Sequence, residues 1–498
     1  MNKHHEKLTL PTNTDCIGEM AISGVVCKES APFRERRWVG LLKFLVDIMA
    51  LEMSLCLGYE LRQAFSSLFP ISRTQGDFLH LSLGMLIVPI GYWLVRLYPG
   101  YGLTAVERLR RRVRATFVMF VVCIAWEYLV AKAGWSSGVF LATFVFALIL
   151  PPILQGLVRN LLIRMNCWGS PVLVFGGAKT GEVVLSFLRN DISLGLKPVG
   201  VIDDDQDKWG TSLEGVPVIG GVECIHSYVD SVHYAILAMP GAGRERLVSL
   251  ASALPFPHII IIPDLLGLPS LWVEVRDLGG TMGLQIKKDL LLRHNCYLKR
   301  LMDFILGIPL FIISLPILAF FALWIKVASP GPAFFTQERE GYEGKLFRIW
   351  KLRTMYLDAE ERLEGYLAKN SAARNEWNRF YKLKNDPRIL PMVGTILRKT
   401  SLDELPQLWN ILKGEMSLVG PRPFPKYHLD NFSNEFCSMR RSVMPGLTGL
   451  WQVSARSDGD LDIQESLDSY YIRNWSIWMD LYLLGRTVGI VLTGRGAY

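Results

Sequence analysis

The stretch LMDFILGIPLFIISLPILAFFALWIKV, residues 301–327, decides how this chain is laid out. It is long enough for a bilayer of about 30 Å, which takes about 20 residues of helix. Hydropathy alone would make it a plain crossing. Pro309 and Pro316 argue otherwise, because each removes a helix hydrogen bond and clashes with the carbonyl four residues back. Ser314 is placed to satisfy a freed backbone group, and Asp303 is costly at membrane depth. The segment is introduced by Lys299-Arg300 and closed by Lys326. The pattern predicts a re-entrant hairpin over 300–327 that dips into one leaflet, breaks at Pro316 and returns. A kinked spanning helix is the other reading.

Toward the amino end lie four more apolar segments of spanning length: Trp38–Tyr59, Phe78–Tyr98, Val113–Val130 and Gly138–Val158. They predict four transmembrane helices over 38–160. The first contains Lys43, Asp47 and Glu52, so an amphipathic surface helix is its alternative. Flanking charges alternate as the positive-inside rule expects. Arg34, Arg36 and Arg37 precede the first segment, Arg108, Arg110, Arg111, Arg112 and Arg114 lie around the second and third, and Arg159 and Arg164 follow the fourth. The other loops are poorer, with Arg62 and Arg73 in one and Lys132 in the other. Both ends of the bundle are therefore expected in the cytoplasm, and a fifth full crossing would put everything after Val327 outside. Residues 1–37 read as a disordered cytoplasmic tail with no cleavable signal peptide.

The whole composition agrees with a membrane protein. The 498 residues are 50% hydrophobic and only 20% charged, with a formal net charge of +8. Mean hydropathy is +0.25. That balance excludes a disordered, collagenous or small disulfide-stapled chain. The arginines flank apolar spans and do not interleave with groove-reading aromatics, so nucleic acid is not an expected partner. Eight cysteines are scattered singly, as in a reducing compartment, and eight histidines form no metal-ligand spacing.

Between the apolar parts, residues 168–292 have the texture of an α/β domain. Val172–Phe175, Val199–Ile202, Tyr234–Ala238 and His258–Ile262 read as buried strands separated by helical patterns, which predicts a Rossmann-like parallel sheet. Gly176-Gly177-Ala178-Lys179-Thr180-Gly181 forms a turn before a helix, where a pyrophosphate could sit. Ala178 replaces the glycine that close backbone approach requires, while Asp203 lies where a ribose-binding acid is expected. No Tyr-x-x-x-Lys pair occurs between residues 171 and 290. A membrane-anchored, NAD-dependent sugar-nucleotide enzyme remains the alternative function that this turn suggests.

Beyond Ser329-Pro330-Gly331-Pro332 the chain turns basic and polar. The run from Gly344 to Met355 alternates like a strand, which would put Lys351 and Arg353 on one face. A solvated face is the default for such charges, but they could also hold diphosphate oxygens. In RKTSLDELPQ, residues 398–407, two readings compete. Ser401 and Glu404 have the spacing of a capping box. A helix starting at Asp403 would instead leave Pro406 in its tolerated first turn and Asp403 at a helix N-terminus. Adjacent carboxylates also suit Mg2+, and a carboxylate can attack phosphorus. Lys384-Asn385-Asp386-Pro387-Arg388, Val419-Gly420-Pro421-Arg422-Pro423 and the loop from Pro445 to Val453 are rigid, charged or glycine-punctuated turns of the kind that carry sites. Trp475–Leu492 is apolar and reads either as a helix in the membrane interface or as a core helix.

On these residues the segment 297–498 resembles the catalytic domain of the monotopic phosphoglycosyl transferases, bacterial enzymes that move a sugar phosphate from a nucleotide sugar to a polyprenyl phosphate. Lys299-Arg300 with Asp303, the Pro316 break, Ser329-Pro-Gly-Pro, Lys351-x-Arg353-Thr-Met, the Asp403-Glu404 dyad, Val419-Gly-Pro-Arg-Pro and Pro445-Gly-Leu-Thr-Gly-Leu-Trp-Gln-Val carry the resemblance. It implies a mostly helical catalytic domain with little sheet, docked through the re-entrant hairpin that holds Lys299, Arg300, Ser314 and Pro316. It further implies Asp403 as nucleophile on the sugar-bearing phosphate, Glu404 beside it holding Mg2+, and Arg422 on the donor phosphate. Arg353, Lys351 and Arg388 are weaker phosphate-binding assignments. The implied partners are a UDP-hexose (galactose before glucose), undecaprenyl phosphate and inner-membrane lipid, in a multi-pass protein with its catalytic domain on the cytoplasmic face. Products would be UMP and an undecaprenyl-diphospho-sugar for O-antigen, capsule or exopolysaccharide. A homodimer is expected from the frequency of symmetric association. Leu352 and Ala455 depart from the family's pattern, away from the dyad, and bear on sugar preference more than on reaction type.

Overall fold

A computed structural model describes residues 37–66, 76–126, 137–229, 231–262, 273–277, 282–286, 293–371, 373–374, 383, 386–454 and 461–493. Residues 1–36 of the expected tail, together with Arg73, Lys132, Lys384, Asn385 and Ala455, lie outside them, while Arg37 opens the first helix. The chain divides into two compact units, Met1–Leu266 and Gly267–Tyr498, and the expected domain 168–292 straddles that division.

The first unit begins with helices α1 (Arg37–Ala64), α2 (Gly76–Met85), α3 (Val88–Leu94), α4 (Ala105–Trp126) and α5 (Ser137–Arg164). They coincide with the four apolar segments, but only α5 is both long and apolar enough to cross a membrane. The second segment is interrupted between Met85 and Val88, with Pro89 in the first turn of α3. The first half of α4 is arginine-rich, with Arg108, Arg110, Arg111, Arg112 and Arg114. On α1, Leu41, Leu45, Met49, Met53, Leu57 and Leu61 form an exposed apolar stripe at helical spacing. On α5 the stripe is Leu141, Val145, Ile149, Ile153, Leu157 and Leu161. Exposed apolar faces of this extent mark an interaction surface. Opposite faces share a core of Leu51, Leu55, Met85, Tyr92, Phe120 and Ala147. Within that bundle Asp47 pairs with Arg112 and accepts a hydrogen bond from Tyr98, so its charge is compensated where water is absent.

The sheet that follows has β1 (Ser170–Phe175), β2 (Leu196–Ile202), β3 (Ser212–Leu213), β4 (Val216–Gly220), β5 (Tyr234–Leu237) and β6 (His258–Ile261) in the order β3-β4-β2-β1-β5-β6. All neighbours run parallel except the β3–β4 edge pair. Helices α6 (Lys179–Asn190) and α7 (Arg244–Ala253) accompany it. β1 is buried along its whole length, as its unbroken apolar sequence requires of a central parallel strand. The four strands read from the sequence are present, and β3 and β4 are additions.

The second unit opens with the hairpin β7 (Val273–Asp277) and β8 (Met282–Ile286), which forms its own two-stranded sheet. Next comes α8 (Arg293–Ala328), the other helix of spanning length and apolarity. The break expected at Pro316 does not end the helix, because α8 carries both prolines inside it. Ser314 Oγ donates to the Phe311 carbonyl at 2.7 Å, in the turn just ahead of Pro316. The amino half of α8 lies along later elements of this unit: Arg300 donates to the Ile411 and Leu412 carbonyls, and Phe311 stacks on Trp409. Leu318, Phe321 and Ile325 of its carboxyl half share a core with Leu352, Leu390, Val393 and Leu397.

The remaining elements are short. Strands β9 (Phe334–Glu340) and β10 (Leu346–Leu352) pair antiparallel, and β11 (Ser417–Val419) pairs parallel with β12 (Gly446–Thr448). Helices α9 (Ala359–Lys369), α10 (Val393–Thr400), α11 (Gln407–Lys413), α12 (Asn434–Arg441), α13 (Leu461–Arg473) and α14 (Ile477–Thr493) make the unit mostly helical. One face of α14 belongs to the core, since Met479, Asp480 and Leu483 are buried.

Candidate active site

Asp403 and Glu404 sit on a single 3-10 turn, Leu402–Glu404, between α10 and α11. Neither sequence-based helix boundary holds. Ser401 adopts a left-handed conformation (φ 58°) that ends α10, so its side chain caps nothing and no capping box forms. Pro406 then occupies the N-cap of α11, and the helix begins at Gln407, not at Asp403. A proline at that place costs no hydrogen bond, because the first amides of a helix have no intrahelical acceptor. The dyad is thus held on a tight connection between two packed helices.

Glu404 is the centre of a charge cluster. Lys351 Nζ, at the end of β10, lies 2.7 Å from Glu404 Oε1, and Arg422 reaches the same oxygen at 2.6 Å. Burial alone would raise the Glu404 carboxyl, but Arg422 and Lys351 outweigh it and hold it down at about 2. Asp403 behaves oppositely. Burial, followed by the neighbouring charge of Glu404, pushes it up to about 6 against the pull of Lys351, Arg398 and Arg422. Among the described residues no hydrogen bond or ion pair engages its carboxylate. A half-buried carboxylate left without donors is available for chemistry.

The glycine-punctuated motifs build the frame that holds Arg422. A Cβ on Gly446 would lie 2.0 Å from Gly420 N, and one on Gly449 would lie 2.3 Å from the Gly420 carbonyl. The two loops therefore meet backbone to backbone, which only glycine allows. Pro421 and Pro423 stiffen the residue between them. Arg440 of α12 donates to the Arg422 carbonyl and to Asp468 Oδ2.

Several sequence-derived assignments move. Arg353 lies just past the end of β10, so the strand alternation does not reach it. Its buried guanidinium donates to the Ser329 and Pro330 carbonyls at 2.8 and 2.9 Å, which makes it a tie for the Ser-Pro-Gly-Pro turn. Arg388 is bidentate on Asp386 in its own turn. Lys299 is buried against Asp480 Oδ2 at 2.6 Å and the Val419 carbonyl at 2.9 Å, fastening α8 to α14 and β11. Asp303 accepts from Ser417 Oγ and Leu418 N, so its cost is met inside protein. Arg398, Asp480 and the Arg440–Asp468 pair escaped the sequence reading. Arg398 stands five residues before Asp403 and was legible as a nearby charge; the other three carry no local signal, being long-range partners.

Among the described residues no three Asp, Glu, His or Cys side chains form a metal cage. A Mg2+ ion that takes one or two carboxylates, with water and substrate phosphates completing its shell, fits the dyad. Asp403 has no described partner and Glu404 bonds its cations through one oxygen.

In the first unit the glycine turn before α6 is differently disposed. Gly177 N donates to Asp203 Oδ2, and Asp205 N donates to Oδ1 at 2.9 Å. The amide that a pyrophosphate would use is taken by the domain's own carboxylate, which works against the NAD-dependent reading.

Comparison with known proteins agrees with this division of labour. Residues 294–494 match the family described as "Bacterial sugar transferase", and residues 98–262 match one described as "CoA-binding domain". The undecaprenyl-phosphate galactose phosphotransferase of Salmonella typhimurium is 33% identical over 434 residues, covering 79% of this chain and 90% of that one. The UDP-galactose-lipid carrier transferase of Erwinia amylovora is 29% identical over 462 residues, 84% of this chain and 95% of its own. The UDP-glucose:undecaprenyl-phosphate glucose-1-phosphate transferase of Escherichia coli is 30% identical over 340 residues, 66% of this chain and 68% of its own. With the Asp403-Glu404 site inside the matched segment and the likeness running through both units, the chain belongs to the bacterial sugar transferase family.

Proposed function

We propose that this protein transfers hexose 1-phosphate from a UDP-sugar to undecaprenyl phosphate, with Asp403 as the nucleophile and galactose as the preferred sugar. The observation that carries it is the Asp403 carboxylate, half-buried and unengaged among the described residues, beside a glutamate that already holds two cations. An Asp403 oxygen attacks the sugar-bearing phosphorus of the donor. The new O–P bond forms as the bond to the UMP oxygen breaks, and the electron pair leaves on UMP. An oxygen of undecaprenyl phosphate then attacks the same phosphorus, releasing the Asp403 carboxylate and giving undecaprenyl-diphospho-sugar. Neither step needs a proton from the protein. What it needs is charge neutralisation and position, the usual demands of phosphoryl transfer. Arg422 and Lys351 supply positive charge, and Glu404 keeps both side chains aimed at the dyad. Mg2+ held by Asp403 and Glu404, when bound, would neutralise donor phosphate oxygens further.

The apolar stripes on α1 and α5 support a multi-pass bundle in the bacterial inner membrane, with both units' polar parts on the cytoplasmic side. Both halves of α8 pack against elements of its own unit, which supports a course that seats that unit at the membrane surface. That course would bring the dyad to the depth of a lipid-borne phosphate. The first unit offers surface for a homodimer, which light scattering in detergent would detect.

The test is UMP release by the full chain in detergent, with UDP-galactose, UDP-glucose and UDP-N-acetylated sugars as donors. UDP-galactose should give the highest kcat/KM, and Asp403→Asn should abolish release. Substantial turnover by that variant would remove Asp403 from the role, and a preference for glucose would correct the sugar.

A further inference from the structure

The loop Gly420-Pro421-Arg422-Pro423-Phe424 carries an arginine that grips Glu404, yet it has little means of holding itself. Pro421 and Pro423 have no amide hydrogen, so the loop is fixed largely through its carbonyls. The Pro421 carbonyl accepts from Gly446 N at 2.9 Å, and the Phe424 carbonyl accepts from Glu340 N at 3.1 Å. Between them lies the Arg422 carbonyl, and the donor that reaches it is a side chain, the guanidinium of Arg440. Backbone bonds set the two ends of the loop, and Arg440 sets its centre.

Arg440 is itself held on several sides. Its side chain is only 9% exposed, and a second guanidinium nitrogen pairs with the buried Asp468 of α13 at 2.6 Å. The guanidinium carbon lies 4.3 Å from the centre of the Phe424 ring and 5.4 Å from that of Phe436. Ser433 Oγ accepts from Phe436 N, which caps α12, and donates to Glu465 of α13 at 2.8 Å. The helix carrying Arg440 is thereby clamped to the helix carrying Asp468. The next residue, Arg441, goes elsewhere, to Glu340 at the end of β9 at 2.8 Å. Guanidinium donors lie in one plane in a fixed fork, so a single Arg440 conformation spans the carboxylate and the carbonyl together.

We propose that Arg440, oriented by Asp468, is a positioning residue for the transfer: through the Arg422 carbonyl it sets where the Arg422 side chain meets the dyad. The reaction it serves is the one proposed above and rests on that reading; its hold on the Arg422 backbone does not. The line of contacts runs from Asp468 to Arg440, from Arg440 to the Arg422 carbonyl, and from the Arg422 guanidinium to Glu404 Oε1 at 2.6 Å. Among the described residues, the hydrogen bonds of Arg440 go to Asp468 and the Arg422 backbone, so it acts on the dyad at one remove. Phosphoryl transfer depends on placement more than on unusual side chains, and a displacement of about 1 Å arising away from the chemistry can cost about a hundredfold in rate.

Removing Arg440 alone would strand Asp468 in the core, so the decisive variant of the full chain exchanges both, Arg440→Met with Asp468→Leu. Replacing a buried ion pair by apolar groups is often neutral for stability, so its denaturation midpoint should stay near that of wild type. In detergent, kcat for UMP release should nevertheless fall about tenfold to a hundredfold. Hydrogen exchange should quicken at the Gly420 and Gly446 amides, which bond to the Thr448 and Pro421 carbonyls and tie the loop down. Adding Arg422→Gln should cost little more, because both changes act through one side chain and their effects do not add. Arg441→Gln, one residue along the same helix, should keep the wild-type kcat. A pair that serves structure alone would leave kcat and exchange unchanged in the exchanged protein, or would let the Arg422→Gln loss add in full. Any of these results, or an equal loss in Arg441→Gln, would overturn the assignment. Quickened exchange at Gly420 and Gly446, with no UMP released by the wild-type protein from any UDP-sugar, would sink the transfer reading and leave the hold on Arg422 standing.

Discussion

Asp203 and Asp403 are both carboxylates on tight turns, one in each unit, and their surroundings treat them in opposite ways. Burial would raise Asp203, but amides of Asp205 and Gly177 and the charge of Lys208 hold it below its ordinary range. Among the described residues Asp403 receives no such donors, so burial and the neighbouring Glu404 charge push it up to about 6. The first is a carboxylate spent on structure: it closes the glycine turn that might have bound phosphate. The second is kept unspent at an energetic cost, which folded proteins accept mainly at sites of chemistry. Two turns that look comparably promising in the sequence are thus separated by their hydrogen-bond donors.

Breaking the Asp403 side of that contrast should have the largest effect. Asp403→Asn should lower UMP release at least about a thousandfold, since it removes the nucleophile. The same variant should be more stable than wild type at pH 7, by up to about 3 kcal/mol for a shift of this size. The sign follows from the raised value: stability falls as pH rises from about 4 through 6, while the unfolded chain has already lost the proton. Chemical denaturation at pH 4 and pH 7 checks it, because the difference should vanish at the lower pH. Glu404→Gln comes next, with a loss of about a hundredfold in kcat as Lys351 and Arg422 lose their anchor.

The frame around the site should answer in stability. Lys299→Met strands Asp480 in the core and should cost about 3–5 kcal/mol, the usual penalty for breaking a buried pair, read as a lower denaturation midpoint. A smaller and more diagnostic effect is the pH profile. Wild-type kcat/KM should rise with pH up to about 6 and then level, because Asp403 must be ionised to attack. In Glu404→Gln that limb should move to lower pH, since a charge that raises Asp403 has gone. Smallest of all is Asp203→Asn: UMP release within about twofold of wild type, with a loss of about 1 kcal/mol from the glycine turn. A large activity loss there would collapse the contrast and give the first unit a catalytic role.

The legible parts of this protein are those where local pattern and chemistry coincide. The β1 and β2 runs, the glycine turn, the apolar segments and the Asp403-Glu404 dyad could all be read from neighbours in sequence. The illegible parts depend on partners far along the chain. Lys299 and Arg300 looked like charges introducing a membrane segment, but Asp480 lies 181 residues from Lys299 and turns it inward. Arg353 shared a motif with Lys351, yet the strand stops between them and sends one to the dyad and the other to the Ser329–Pro330 turn.

Sequence by itself determined where apolar surface is concentrated, which segments alternate as strands and which residue types meet in the dyad, because these are properties of short stretches. Only the tertiary structure decided that Asp403 lacks donors among the described residues while Asp203 has them, that Glu404 holds two cations and that the glycine loops close on each other. Those outcomes turn on which distant groups are brought within hydrogen-bond reach. In a buried site a single donor present or absent moves a carboxylate from structural to reactive.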